Sequence, residues 1–254
     1  MTVLRVLAVA LAMLAAAHSP APAARPISGE LSARPAPPPG ATTAPGRHRL
    51  RAGTTAILYV PESIPADAAA PFLLLLHGAG GKGDDMIRKF RAQADARGII
   101  LLAPDSADAT WDVALSMSGG DRSPPGFGRD IRRIDAVLRE AFTRVNADPQ
   151  RVAVAGFSDG ASMALSIGVH NAALFPTTLA FSAGGMVPDW SGPAGRVFFS
   201  HGVKDSVLPI GIARDSLAPR LSATGVEVTV VSFDGGHSLP EPVLDQAMAW
   251  WLAR

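Results

Sequence analysis

The stretch that decides the fold is RVAVAGFSDG, residues 151–160. Its first half, Arg151–Gly156, is a short apolar run that predicts a buried strand, and the segment Asp159–Asn171 predicts a helix. Between them lies a G-x-S-x-G pattern centred on Ser158, in the strand-turn-helix setting of a nucleophile elbow. Glycine is needed on both sides because a Cβ there would strike the neighbouring strand or helix. The alternative interpretation is an ordinary tight turn in which Ser158 caps the helix.

Apolar runs of strand length alternate with helical segments on both sides of this motif. The alternation predicts an α/β fold with a mostly parallel central sheet flanked by helices on both faces, and with its site at the carboxyl ends of the strands. Only residues 183–195 separate two of the predicted strands, so no cap domain is expected there. The predicted strands are Thr54–Val60, Phe72–Leu76, Ile99–Ala103, Arg151–Gly156, Thr178–Ser182, Arg196–Ser200 and Val226–Phe233, and the helices span residues 84–97, 131–145, 159–171, 211–224 and 240–252.

A serine nucleophile needs a histidine base and an acid that orients the histidine. In this type of fold the chain order is serine, acid, histidine. Only His237, in a glycine-rich loop after the last predicted strand, lies downstream of a suitable acid. Asp205 follows the strand Arg196–Ser200 and is the best acid by position, whereas Asp234 is too close in sequence to His237. The alternative for Asp205 is a surface carboxylate paired with Lys204.

Acyl transfer also needs donors for the tetrahedral oxyanion, and two backbone N–H groups are the usual supply. We expect Asp159, the residue after the nucleophile, to supply one of them. The glycine-rich loop His77–Gly81 is expected to supply the other from Ala79. His77 itself is expected to form a local hydrogen bond beneath the site.

The long connection between Asp105 and Phe127 is expected to cover or border the site. Trp111 or Phe127 is a candidate to line a substrate pocket, with core packing an equal alternative for each. The chemistry requires no metal and no organic cofactor.

The composition excludes several other classes of protein. The chain has 23 basic and 22 acidic side chains, a formal net charge of +1, which disfavours a polybasic nucleic-acid binder. It has no cysteine, which excludes disulfides, thiolate metal sites and cysteine nucleophiles. Its hydrophobic fraction of 48% provides enough apolar material for a full core in 254 residues.

The first 46 residues differ in composition from the rest. Residues 1–23 combine a basic start, the apolar run Val6–Ala17 and an A-x-A-like site, which is typical of a secretory signal peptide cleaved after Ala23. The run is shorter than the roughly 20 residues of a membrane span, so no membrane anchor is expected after cleavage. The location expected is the periplasm or the exterior. Residues 24–46 are expected to be a mobile Pro/Ala-rich linker, and residues 47–254 the catalytic domain.

Four motifs together resemble those of the α/β-hydrolase superfamily: Leu76–Gly81, Gly156–Gly160, His201–Asp205 and Gly235–His237. More narrowly, residues 54–252 resemble the bacterial phospholipase/carboxylesterase group, with kinship to secreted polyhydroxybutyrate depolymerase-like and feruloyl esterase-like enzymes. The resemblance implies an α/β-hydrolase fold, a Ser158-Asp205-His237 triad, and Ala79 and Asp159 as oxyanion donors. The chain departs from the pattern at Asp159, where better-known carboxylesterases of the group carry glutamine. A carboxylate there lowers activity or alters substrate preference unless it points away or is paired.

The function predicted is hydrolysis of a small-molecule or polymeric carboxylic ester through an acyl-enzyme. Alternatives on the same motifs are a polyester or feruloyl esterase, a serine peptidase, and a transferase or lyase. An alternative of a different class is a catalytically silent binding protein. A panel of ester and amide substrates separates an esterase from a peptidase, and product formation with an acceptor other than water reveals a transferase or lyase. Labelling of Ser158 by a fluorophosphonate probe excludes the silent protein.

Overall fold

A computed structural model of the protein describes residues 28–36, 43–65, 67–117, 126–187 and 195–253, and the predicted signal peptide, residues 1–23, lies outside them. The strands are β1 (Gly46–Leu50), β2 (Ala56–Val60), β3 (Ala70–Leu76), β4 (Ile100–Pro104), β5 (Ala147–Phe157), β6 (Thr177–Phe181), β7 (Arg196–Gly202) and β8 (Glu227–Phe233). They form one sheet in the order β1-β2-β4-β3-β5-β6-β7-β8. Because only the pairs β1–β2 and β2–β4 are antiparallel, the prediction of a mostly parallel sheet is confirmed.

Helices cover both faces of this sheet. They are α1 (Gly83–Arg97), α2 (Asp112–Met117), α3 (Arg129–Phe142), α4 (Asp159–His170), α5 (Ala218–Ser222), which continues a π-helical segment at Ile212–Leu217, and α6 (Glu241–Leu252). Alternate residues of the central strands face opposite layers: Leu74 packs in the cluster that holds α3 and α4, and Leu73 in the one that holds α1 and α6. The sheet is therefore the middle layer of a three-layer α/β domain.

The central strands could be predicted because they are buried on both faces. All seven residues of β3 are buried, so its sequence is a nearly continuous apolar run. The edge strand β1 was not predicted, since only Leu50 of its five residues is buried and the others are polar or glycine. Helix α2 was not predicted either, and it lies in the connection that was expected to border the site.

The expected mobile linker is wrong for residues 28–36, which pack against the domain. Leu31 and Ala33 of this segment are only 3% and 1% exposed. The Leu31 N–H donates to Asn171 Oδ1 at 2.7 Å, and the Ala33 N–H donates to Asp135 Oδ1 at 2.8 Å. The physical reason is that side chains of the domain satisfy the segment's backbone, so that it needs no periodic pattern of its own.

No helix within the described ranges is long and apolar enough to cross a membrane.

Candidate active site

Ser158 lies at the turn between β5 and α4 in a strained backbone conformation, with φ 57° and ψ −122°. The flanking glycines are required by close packing. A Cβ on Gly156 would lie 2.0 Å from the carbonyl oxygen of Gly160, and a Cβ on Gly160 would lie 2.2 Å from that of Leu76. The Ser158 side chain makes no capping hydrogen bond to α4, which argues against the alternative of an ordinary helix cap.

Three predicted residues from separate loops meet at this turn. His237 Nε2 lies 2.9 Å from Ser158 Oγ, and His237 Nδ1 lies 2.7 Å from Asp205 Oδ2. The Asp205 side chain is fully buried, while that of His237 is 17% exposed. Hydroxyl, imidazole and carboxylate thus form one continuous hydrogen-bonded relay, the arrangement that activates a serine hydroxyl.

The Asp205 carboxylate is held in its ionised form. Burial opposes ionisation, but the hydrogen bond from His237 and the backbone N–H groups of Leu208 and Val207 outweigh it and hold the pKa of Asp205 below its ordinary value. Both N–H groups lie 2.9 Å from Asp205 Oδ1. One carboxylate oxygen is therefore fixed by its own loop, and the other faces His237.

Backbone contacts hold the Asp205 loop beside the His237 loop. The Val203 N–H donates to the carbonyl of Phe233 at 3.0 Å, and the Lys204 N–H donates to that of Gly235 at 2.9 Å. A Cβ on Gly202 would lie 2.3 Å from the Gly235 carbonyl oxygen, so only glycine fits there. The ring of Phe157 lies 4.8 Å from the ring of His237 and supports it from the elbow.

The two competing aspartates occupy very different surroundings. Asp234 is 76% exposed at its side chain and pairs with Lys204 at 2.5 Å. The lysine that was the alternative partner of Asp205 is therefore bound by Asp234 instead. Asp205 is the carboxylate that the fold brings to His237.

His201 also contacts Asp205, which sequence reasoning missed. Its Nε2 lies 2.6 Å from the Leu208 carbonyl oxygen and 3.2 Å from Asp205 Oδ2. Because the carbonyl only accepts, Nε2 carries the proton and donates. The ring is fully buried, and its Nδ1 has no partner in the described part of the chain. Its place at the end of β7, four residues before Asp205, is the signal that could have identified it.

His77 forms the local hydrogen bonds expected of it. The Ser106 N–H donates to His77 Nε2 at 3.1 Å, so Nδ1 carries the proton and donates to the Gly78 carbonyl at 2.7 Å. Burial lowers the pKa of His77 and favours this neutral form.

The two expected oxyanion donors have no acceptor among the residues that the structure describes. Within the described ranges, the N–H groups of Ala79 and Asp159 donate to no backbone or side-chain acceptor. The Ala79 loop lies close to the nucleophile, because a Cβ on Gly78 would be 3.4 Å from the Cβ of Ser158. The Asp159 carboxylate is paired, since its Oδ2 accepts a hydrogen bond from Thr110 Oγ1 at 2.6 Å.

Neither aromatic candidate lines a substrate pocket, so both of these predictions are wrong. Trp111 is fully buried; its Nε1 donates to the His77 carbonyl at 2.7 Å. Phe127 lies edge-on to His170, with ring centroids 5.0 Å apart, and beneath Gly29. Since His170 is the last residue of the helix that follows Ser158, Phe127 packs at the far end of that helix from the nucleophile. Both rings belong to the core, which was the alternative for each.

The chain resembles two esterases in sequence and a third in structure. An acetylxylan esterase from Coprinopsis cinerea is 30% identical over 147 residues, which are 54% of this chain and 34% of that protein. A protein named "probable feruloyl esterase C" from Aspergillus clavatus is 23% identical over 219 residues, 73% of this chain and 76% of that protein. The crystal structure of esterase PE8 gives a TM-score of 0.62 at 22% identity, over 81% of this chain and 97% of PE8, and shows likeness of fold alone.

This chain spans only about a third of the length of the acetylxylan esterase. The family model for phospholipases and carboxylesterases, in contrast, matches residues 62–250, which include β3 to β8 and all the residues of the relay. The chain therefore belongs to the phospholipase/carboxylesterase family of α/β-hydrolases.

Proposed function

We propose that the protein is an exported serine esterase that hydrolyses carboxylic esters through an acyl-enzyme on Ser158. The observation that carries the proposal is the relay of 2.9 Å and 2.7 Å that links Ser158 through His237 to a buried Asp205. A buried carboxylate and a histidine within hydrogen-bonding distance of a strained serine are what nucleophilic acyl transfer requires.

In the first step, Ser158 Oγ attacks the ester carbonyl carbon while its proton passes to His237 Nε2. Asp205 holds the Nδ1–H and stabilises the imidazolium that forms. The N–H groups of Ala79 and Asp159 donate to the oxygen that becomes negative. The bond from the carbonyl carbon to the alcohol oxygen then breaks, and the alcohol leaves with the proton from Nε2. Ser158 remains acylated.

In the second step, water attacks the acyl carbon and gives its proton to His237 Nε2. The same N–H groups stabilise the second oxyanion. When the carbonyl re-forms, the bond to Ser158 Oγ breaks, the serine takes its proton back from the imidazolium, and the carboxylic acid leaves. One ester and one water give one alcohol and one acid.

The family and the balance of charges support the proposed substrate class. The family is named for phospholipases and carboxylesterases, and relatives carry the names acetylxylan esterase and feruloyl esterase. Basic and acidic side chains nearly balance, which favours a neutral ester over a highly charged polymer. The signal-peptide pattern of residues 1–23 supports export.

Replacing Ser158 by alanine tests the proposal. We expect Ser158→Ala to lower kcat for p-nitrophenyl acetate by about 10⁴-fold or more, because the nucleophile is lost. The matched control is Ser166→Ala, a buried serine on the same helix whose hydroxyl is bound to the backbone of Ser162, and it should retain activity. A panel of p-nitrophenyl esters and peptide anilides separates an esterase from a peptidase. Folded Ser158→Ala protein with wild-type hydrolysis would refute the proposal.

A further inference from the structure

Two consecutive residues of the connection after β4 each contact one half of the proposed oxyanion hole. The carbonyl of Ala109 accepts a hydrogen bond from the Gly80 N–H at 2.7 Å, and Gly80 follows the first donor, Ala79. The hydroxyl of Thr110 donates to Asp159 Oδ2 at 2.6 Å, and Asp159 is the second donor. The short segment Ala109-Thr110 therefore bridges the Ala79 loop and the start of α4, which carry the two donors.

We propose that Thr110 is a positioning residue for the oxyanion hole, and that Ala109-Thr110 holds the two donor N–H groups at a fixed separation. This inference rests on the proposed esterase function. It adds a residue that touches neither the ester nor the relay but sets where the developing negative charge is bound.

The Ala79 loop needs such an external tie. Among the described residues, one backbone hydrogen bond closes its turn, from the Gly81 N–H to the Gly78 carbonyl at 3.0 Å, and Gly80 has a positive φ of 71°. The turn lies between β3 and α1 and belongs to neither. The hydrogen bond to Ala109 thus fixes the tip of this loop to the connection after β4, whose Ser106 and Trp111 already hold His77 at its base.

The bridging segment is itself held firmly. Thr110 is 8% exposed, and the next residue, Trp111, is fully buried. The Trp111 ring lies 4.9 Å from the His77 ring and donates to the His77 carbonyl at 2.7 Å. This anchor lies at the base of the Ala79 loop. A shift of Thr110 would therefore displace the N–H groups of both donors.

The Thr110 hydroxyl also accounts for the carboxylate at position 159. An unpaired negative charge beside the oxyanion would repel it. The hydrogen bond from Thr110 binds one carboxylate oxygen and fixes the direction of the side chain.

The test is Thr110→Val, which keeps the shape of the side chain and removes the hydroxyl. We expect kcat for p-nitrophenyl acetate to fall about 10- to 100-fold, because displacement of an oxyanion donor acts on the transition state, while KM stays within about twofold. The affinity for a trifluoromethyl ketone, whose adduct carries the same oxyanion, should fall by the same factor. Thr110→Ser keeps the hydroxyl and should restore both values.

The control is Thr177→Val, at the amino-terminal end of β6. Thr177 is 4% exposed and its hydroxyl lies 3.4 Å from Arg196 Nε, so the same substitution probes loss of a buried hydroxyl without contact to the site. If Thr110→Val leaves kcat and ketone affinity unchanged, or moves them no more than Thr177→Val does, the inference is refuted. If Thr110→Val does not fold, Thr110→Ala is compared with Thr110→Ser in the same assays. Unchanged kcat and ketone affinity in Thr110→Ala would then refute the inference.

Failure of the esterase proposal would look different. In that case Ser158→Ala would leave hydrolysis intact whatever Thr110 does. Hydrolysis that depends on Ser158 but is indifferent to the Thr110 hydroxyl refutes only the role of Thr110.

Discussion

At the scale of single residues, the surroundings of a side chain, and not its type, determine whether it can act in the site. Asp205 and Asp234 carry the same carboxyl group. Asp205 lies in the loop after β7, and Asp234 lies in the neighbouring loop after β8. Asp205 is buried against His237, and its pKa is held below the ordinary value mainly by hydrogen bonds that overcome burial. Asp234 is exposed and bound to Lys204. Only the first can orient a buried imidazole.

The pair Asp205→Asn and Asp234→Asn checks this difference. We expect Asp205→Asn to lower kcat about 10⁴-fold, because the neutral amide neither fixes the correct tautomer of His237 nor stabilises its cation. Asp234→Asn removes only an exposed ion pair and should leave kcat at the wild-type value. The assay is hydrolysis of p-nitrophenyl acetate by the two folded variants. The reverse pattern would identify Asp234 as the acid.

The rule that orders serine, acid and histidine along the chain selected the residues that the fold brings together. The side-chain contacts could not be predicted in the same way. Nothing in the sequence indicates that the Thr110 hydroxyl reaches Asp159. Such contacts depend on how two connections cross above the sheet, and a one-dimensional pattern does not record that crossing.

At the scale of elements, the sequence predicts what is buried on both faces and misses what is not. The interior strands read as apolar runs because neither face meets water. The edge strand β1 presents two arginines and a histidine, as a protected sheet edge does, and so lacks that signal. The aromatic residues of the long connection were ambiguous because a large ring suits a pocket and a core equally well.

The elements also explain why the elbow needs its glycines. Helix α4 starts so close to β3 that a Cβ at position 160 would overlap the carbonyl oxygens of Leu76 and His77. The same approach brings the Ala79 loop, which follows β3, beside the nucleophile at the start of α4. Close packing and the expected oxyanion site thus have one cause.

At the scale of the whole molecule, the N-terminal segment 28–36 belongs to the domain. Its Leu31 packs in the cluster that contains α3 and α4 residues. The Asn171 side chain donates to the Gly29 carbonyl and accepts from the Leu31 N–H. The predicted signal-peptide cleavage after Ala23 would leave this segment in the mature protein. Composition alone suggested a mobile linker because proline and alanine dominate the region and because its partners lie more than a hundred residues away.

Leu31→Ala measures the contribution of this segment to stability. We expect the free energy of unfolding to fall by about 2–3 kcal/mol, since a buried leucine side chain is lost, while kcat/KM stays unchanged. Leu115→Ala is the control: Leu115 is 45% exposed, and its loss should change stability by less than about 0.5 kcal/mol. Chemical denaturation of both variants gives the comparison. An unaltered stability in Leu31→Ala would show that the segment contributes nothing to the folded domain.

The central claim, that Ser158 is the nucleophile of an ester hydrolase, is tested most directly by covalent labelling. The wild-type protein is treated with a fluorophosphonate probe, digested, and its peptides are mapped by mass spectrometry. The account predicts one adduct, on the peptide that carries Ser158, with hydrolysis of p-nitrophenyl acetate lost in proportion to labelling. An adduct on another serine, or folded protein that hydrolyses the ester yet takes no label on Ser158, would contradict it.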